Sequence, residues 1–180
     1  MGVGYLTGQG GGGSNIKNVQ RGKSTLVFGV VALNVVISTV DINKSIVKIY
    51  RKPTSSTAIS AAGAMVKAKI TTSVNLELSR IDDIYNGYDV DVYWEVVEFN
   101  NVKSLQKGDY VLTNPTTLEN IAINAINMSK SIIFASWTTI STSTAMIPVL
   151  DIAYINTSTQ VSVMSSGFTG TIHWQVIEFK

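Results

Sequence analysis

The chain contains no cysteine. Disulfide staples, thiolate nucleophiles and cysteine-based zinc sites are therefore excluded. It has one histidine, His173, so a Ser-His-Asp arrangement has a single candidate base. Asp, Glu, Lys and Arg together make up 14% of the residues, well below the roughly one quarter of an average globular chain. The net charge of +2 gives no electrostatic footprint for nucleic acid or anionic lipid, and neither is expected as a partner. The longest apolar run, 26–40, is broken by Asn34 and falls short of the ~20 residues a spanning helix needs. Its Val and Ile content favours strands instead. No basic segment followed by an apolar core opens the chain, so no secretory signal is expected. Met1-Gly2 invites a myristoylation reading, which fails because Leu6 stands where Ser or Thr is required.

What the chain does have is a sentence written twice. Ile-Lys-Asn-Val-Gln-Arg-Gly at 16–22 returns as Val-Lys-Ser-Leu-Gln-Lys-Gly at 102–108. Val-Asp-Ile-Asn-Lys-Ser-Ile-Val at 40–47 returns as Ile-Asn-Met-Ser-Lys-Ser-Ile-Ile at 126–133. Trp-Glu-Val-Val-Glu-Phe at 94–99 returns as Trp-Gln-Val-Ile-Glu-Phe at 174–179. The first two phrases are displaced by 86 positions and the third by 80, so the second copy has lost about six residues, expected in loops. One supersecondary unit has been duplicated. The domain reading is a flexible Gly-rich arm at 1–15, a first repeat at 16–100 and a second at 101–180. Units this small are marginal alone and gain by packing on a twin or by oligomerising. The arm cannot order itself, and Tyr5 and Leu6 are its candidate anchors on a partner.

Period-two alternation dominates, and no segment has a convincing helical period. Val90, Val92, Trp94 and Val96 share one face, with Tyr93 and Glu95 opposite. Ile172, Trp174 and Val176 repeat this face, which puts His173 and Gln175 outward. Phe99 and Phe179 break the register, which points to a bulge or a change of surroundings at the strand end. Strands are expected at 26–31, 34–40, 45–50, 65–71, 74–81 and 89–99. In the second copy they are expected at 110–113, 120–125, 131–137, 145–150, 160–164 and 169–179. The fold class is all-β: two tandem, homologous small antiparallel β-sandwiches of about six strands each, behind the Gly-rich arm.

Candidate chemistry is sparse. Gly22-Lys23-Ser24 lacks the upstream Gly and the following helix of a phosphate loop. The Gly-rich arm matches a dinucleotide fingerprint only trivially. Asp82, Asp83, Asp89 and Asp91 could ligate calcium, but a solvated hairpin tip is the better reading. Glu98 and Glu178 recur in both copies, which argues for a structural pairing with Lys17 and Lys103. No catalytic residue, cofactor or metal is assigned. Tyr85, Tyr88 and Trp137 offer flat faces suited to a protein partner or a sugar.

The three phrases together resemble a repeat in structural proteins of tailed bacteriophages. Those proteins carry an Ile-Lys-x-Val-Gln-Arg-Gly opening, a central Val-Asn-x-x-Lys-Ser-x-Val and a Val-x-x-x-Val-Val-Glu-Phe close. The matches lie at 16–22, 40–47 and 92–99, and more loosely at 102–108, 126–133 and 172–179, where Lys107 replaces Arg and Ser129 alters the centre. The resemblance implies a virion component, a head or neck decoration or a tail or fibre protein, that docks on other virion proteins and is not an enzyme. A homo-oligomer is expected, with a trimer favoured. The architecture also has a faint likeness to H-type lectins, which makes a carbohydrate-binding receptor module the alternative, with a host surface glycan as partner.

Overall fold

A computed structural model describes residues 15–53, 65–80, 89–113, 118–140, 152–164 and 169–180. The chain is all-β. The first repeat contains β1 (Ile16–Leu26), β2 (Ala32–Val36), β3 (Ser45–Pro53), β4 (Lys67–Thr72), β5 (Asn75–Ser79) and β6 (Val90–Phe99). The second contains β7 (Val102–Leu112), β8 (Glu119–Ala122), a 3₁₀ turn (Met128–Lys130), β9 (Ser131–Ile140), β10 (Ile152–Thr157), β11 (Gln160–Met164) and β12 (Thr169–Phe179). The strand order of the first repeat is β1-β6-β3 in one sheet and β2-β5-β4 in the other. The second repeat has β7-β12-β9 and β8-β11-β10, the same plan strand for strand. Every pairing among the described residues is antiparallel.

Each repeat closes its own core between its two sheets. Leu26, Val47, Val92 and Val96 of one sheet meet Ala68, Ile70, Leu76 and Leu78 of the other. Leu112, Ile172 and Val176 meet Ile121, Val161 and Val163 in the second copy. A third apolar cluster joins the repeats, built from Val19, Ile46, Val97 and Phe99 on one side and Leu105, Ile132, Ile177 and Phe179 on the other. Phe99 and Phe179 meet edge-on there, 5.2 Å between centroids at 76°. That contact is the change of surroundings their broken register implied.

The repeated phrases converge in space at one end of each sandwich. A bulge sits at Lys17 opposite Glu98 and Phe99, and again at Lys103 opposite Glu178 and Phe179. The bulged lysine reaches the repeated glutamate, Lys17 to Glu98 and Lys103 to Glu178, each at 2.8 Å. The same glutamates accept the backbone N–H of Asp41 (3.2 Å) and Asn127 (2.9 Å) at the start of the central phrase. Both carboxylates are buried, and this is the structural pairing the sequence implied. Lys103, then the Asn127 amide, holds Glu178 below the ordinary carboxylate range. Gln20 and Gln106 each bond both backbone groups of one residue, Ser38 and Asn124, at 2.7–2.9 Å. The closing tryptophans lie across the glycines of the opening phrase, Trp94 opposite Gly22 and Trp174 opposite Gly108. A Cβ on Gly22 would overlap the Trp94 ring, and one on Gly108 would stand 3.0 Å from Trp174. Glycine is needed because the indole occupies the space of its missing side chain.

Several strand limits differ from expectation. The opening phrases are strands in their own right, β1 and the first half of β7. Their inward positions, Gln20, Gly22 and Ser24, are polar or small because they serve Ser38 and Trp94. The alternation that betrays a strand is therefore absent. The run expected as a strand at 26–31 is mostly a turn. Val30 N–H bonds Val27 O at 3.0 Å, Gly29 has φ 80°, and buried Arg80 donates to Val27 O and Val30 O. β10 was not among the expected strands, and the strand expected at 145–150 lies outside the described residues. β11 and β12 keep their expected limits.

Candidate functional site

The two outer faces of the long-stranded sheets make the candidate site, because equivalent positions there have diverged. Cross-strand register aligns them in rows. The first repeat reads Val19–Val97–Ile46, then Arg21–Glu95–Lys48, then Lys23–Tyr93–Tyr50, then Thr25–Asp91–Lys52. The second reads Leu105–Ile177–Ile132, Lys107–Gln175–Phe134, Asp109–His173–Ser136 and Val111–Thr171–Thr138. The first row is apolar in both copies and forms the cluster between repeats. The remaining rows have separate fates.

In the second repeat the first repeat covers the β12 and β9 positions of these rows, while Asp109 and Val111 on β7 stay exposed. The Gln175 amide donates to Val47 O at 3.0 Å and accepts from Val47 N at 3.1 Å. Ser136 Oγ accepts from Ala68 N at 3.1 Å and lies 3.5 Å from Ala68 O. Val47 and Ala68 sit on β3 and β4, two of the four edge strands of the first sandwich, so two side chains cap backbone groups that an edge would leave unpaired. Lys107 Nζ donates to Ile42 O at 3.1 Å. Asp109 gathers His173 Nδ1 at 2.8 Å, Lys69 Nζ at 3.3 Å and Lys67 Nζ at 3.6 Å. His173 and Gln175, expected to face outward, are only 1% and 2% exposed. They do lie on the outer face of their own sandwich, but the neighbouring repeat covers that face.

Burial pushes the His173 imidazole below its usual value, against the pull of Asp109. At neutral pH the ring is uncharged and donates to the Asp109 carboxylate. Burial also raises Asp109, but the His173 bond and the two lysines outweigh it and leave the carboxyl lowered. Burial, with Lys69 nearby, lowers Lys107. A histidine sealed between two repeats presents no base to a substrate.

In the first repeat the same rows stay open. Tyr50 and Tyr93 are 68% and 41% exposed, with ring centroids 6.1 Å apart and planes tilted by 48°. Lys23 Nζ lies 5.8 Å from the Tyr93 ring centre and pairs with Asp91 at 2.7 Å, while Thr25 donates to Asp91 at 2.7 Å. Those bonds, the Lys23 bond foremost, lower Asp91, and the Asp91 bond raises Lys23. Arg21 Nε meets Glu95 at 2.6 Å. An open depression of about 330 Å³ lies among Arg21, Lys48, Tyr50, Tyr93 and Glu95. Its one acid, Glu95, is already engaged by Arg21, and its tyrosine rings offer apolar area with hydroxyls at the tips. The arrangement suits docking of a surface or a sugar better than proton transfer.

Of the residues singled out in the sequence, Tyr5, Leu6, Tyr85 and Tyr88 lie outside the described residues, as do Asp82 and Asp83. Trp137 is on β9, half-buried against the second core. The Arg51 guanidinium sits 5.2 Å from its ring centre, so a cation of the first repeat occupies a ring face that a sugar would use. Its indole N–H has no hydrogen-bond partner among the described residues. Asp89 accepts from Phe28 N at 2.8 Å and Asp91 from Lys23 and Thr25, so both have structural partners. Among the described residues no cluster of His, Asp and Glu could hold a metal. Tyr50 and Tyr93 were missed as a pair. Each is legible as the outward residue of its strand, but only the pairing of β3 with β6 brings them together. Compared with known protein families, curated proteins and solved structures, the chain matches none of them.

Proposed function

We propose that the protein is a non-enzymatic structural component of a tailed-phage particle, a head or neck decoration or a tail or fibre protein, that works by docking and self-association. The observation that carries this reading is the use made of the resembling phrases. Their Lys, Gln, Gly, Trp and Glu residues are spent on a bulge, two backbone ties, an indole over a glycine and a buried carboxylate. That is scaffolding, and it leaves the outer faces as the variable surface for contact. The lone histidine serves the seam between repeats. Immunogold labelling of purified phage particles from the encoding host tests the proposal. Labelling at one fixed position on the particle supports it. Particles of normal protein composition that lack the chain, while it remains free in the lysate, would refute it.

One observation favours the second reading, a carbohydrate-binding receptor module. The tilted Tyr50–Tyr93 pair beside Arg21 and Glu95 has the mixed apolar and hydrogen-bonding character of a sugar platform. Binding on an array of bacterial surface glycans, lost in Tyr50→Ala and Tyr93→Ala, would favour it over pure architecture.

A further inference from the structure

The contact between the two repeats is not reciprocal. The second repeat gives its outer face, through Gln175, Ser136 and Asp109. The first gives its β3–β4 edge, through Val47, Ala68 and Lys69. A heterologous contact leaves both complementary surfaces unused at the ends of the pair. The unused face is the outer face of β1-β6-β3 beyond its first row, Val19–Val97–Ile46, which the cluster between the repeats already holds. The unused edge is the side of the second sandwich bounded by β9 and β10, the strands equivalent to β3 and β4.

Both surfaces retain the means to dock. The residues equivalent to Val47 and Ala68 are Ile133 and Ala153, aligned by their partners Val176 and Val163 as Val47 and Ala68 are by Val96 and Leu78. Among the described residues no side chain caps them. On the open face, Arg21 and Glu95 stand at the places of Lys107 and Gln175, and their 2.6 Å pair sets a donor beside an acceptor, as the Gln175 amide does. Tyr50 stands at the place of Ser136 and carries a hydroxyl that can both donate and accept. Tyr93 stands at the place of His173. These side chains are longer than their counterparts, so an edge would seat further out, on aromatic rings. The open edge carries exposed apolar groups to meet them, Met128 and Tyr154, at the places of Ile42 and Lys69. Direct contact between the equivalent residues Phe99 and Phe179 puts them close to the axis relating the repeats, as in a rotating, ring-forming step.

We propose that a second copy of this chain docks head to tail, the β9–β10 edge of its second repeat seating on the Tyr50–Tyr93 face of the first repeat. Repetition of that step builds a ring of whole chains or, without closure, a filament. The contact rests on the self-association in the functional reading above, but not on the phage assignment. A particle-bound chain that stays monomeric would sink the contact alone. A self-assembling chain found on no particle would sink the assignment alone.

The test is sedimentation velocity of the full chain with mass photometry. Oligomers should form, and Tyr50→Glu with Tyr93→Glu should raise the half-assembly concentration about tenfold or more, as aromatic anchors do. Circular dichroism should stay unchanged, because both side chains are exposed. The absence of native cysteine allows a second measurement. Lys23→Cys and Tyr154→Cys chains, at the places of the Asp109–Lys69 contact, should form a mixed disulfide dimer when combined and oxidised. A monomer at every concentration, oligomers indifferent to the tyrosine changes, or disulfides only between identical variants would each overturn the proposal.

Discussion

The two repeats share a strand plan, a set of backbone ties and an indole-over-glycine contact, yet their outer faces have opposite fates. One is exposed, with Tyr50 and Tyr93 flanked by ion pairs. The other is covered along β12 and β9, with His173 and Gln175 under a neighbouring sandwich. Duplication copies a core, and the environment then selects each copy's surface. A glutamine at position 175 satisfies both backbone groups of Val47, whereas a glutamate could satisfy only its N–H. At the equivalent open position, Glu95 can find Arg21 and water. Position in the assembly, rather than position in the strand, sets which side chain is tolerated.

The largest expected effect tests the shared part. Trp174→Ala should cost about 3–5 kcal/mol, measured by urea denaturation. Trp94→Ala should cost less, because Trp94 is the less buried of the two. Equal costs would mean that the two indoles do equal work despite their different exposure.

The divergent part is tested by exchanging one residue type in each direction. Gln175→Glu puts a carboxylate opposite the Val47 carbonyl in a buried seam and should cost about 3 kcal/mol. Glu95→Gln lies on the open face and should stay within about 0.5 kcal/mol. Similar losses in both would deny that the first repeat covers the second.

Next comes the room beneath the indoles. Gly22→Ala should cost about 1–3 kcal/mol by overpacking, more than Gly108→Ala, because the Trp94 ring overlaps the added carbon where Trp174 only crowds it. The reverse order in thermal melts would show that the first repeat relaxes more easily.

Acid sharpens the comparison further, with the smallest effect. His173 is held below its ordinary value in the folded chain, so the unfolded chain takes up the proton first. Its contribution is complete above about pH 6.5 and is lost as pH falls from there through the lower folded value. The carboxyls of Asp109 and Glu178 are also lowered. Their contributions stand above about pH 4 and disappear as pH falls through their folded values. Melting temperatures should therefore decline in two stages, and His173→Asn should remove the first. A single decline below pH 4 in the unaltered chain would take His173 out of the account.

Legibility in the sequence varied with what each residue faces. β11 and β12 were readable to the residue because their alternation reports a core on one side. β1 was not, because Gln20, Gly22 and Ser24 point inward as partners of particular groups, and alternation registers apolarity alone. The Glu98 and Glu178 pairings were readable because repetition showed that the acids do the same work twice. The Tyr50–Tyr93 face was not, since its members lie far apart in sequence and meet only across a strand pair.

By itself the sequence determined that the chain is all-β, that one unit was written twice, and which residues of the alternating strands turn toward each core. Those facts follow from local period and internal repetition, which are properties of a string. Only the tertiary structure decided that one outer face is buried and its twin open. The reason is that a side chain's exposure depends on what a distant segment places over it, and two repeats packed face to edge break the symmetry that their sequences share.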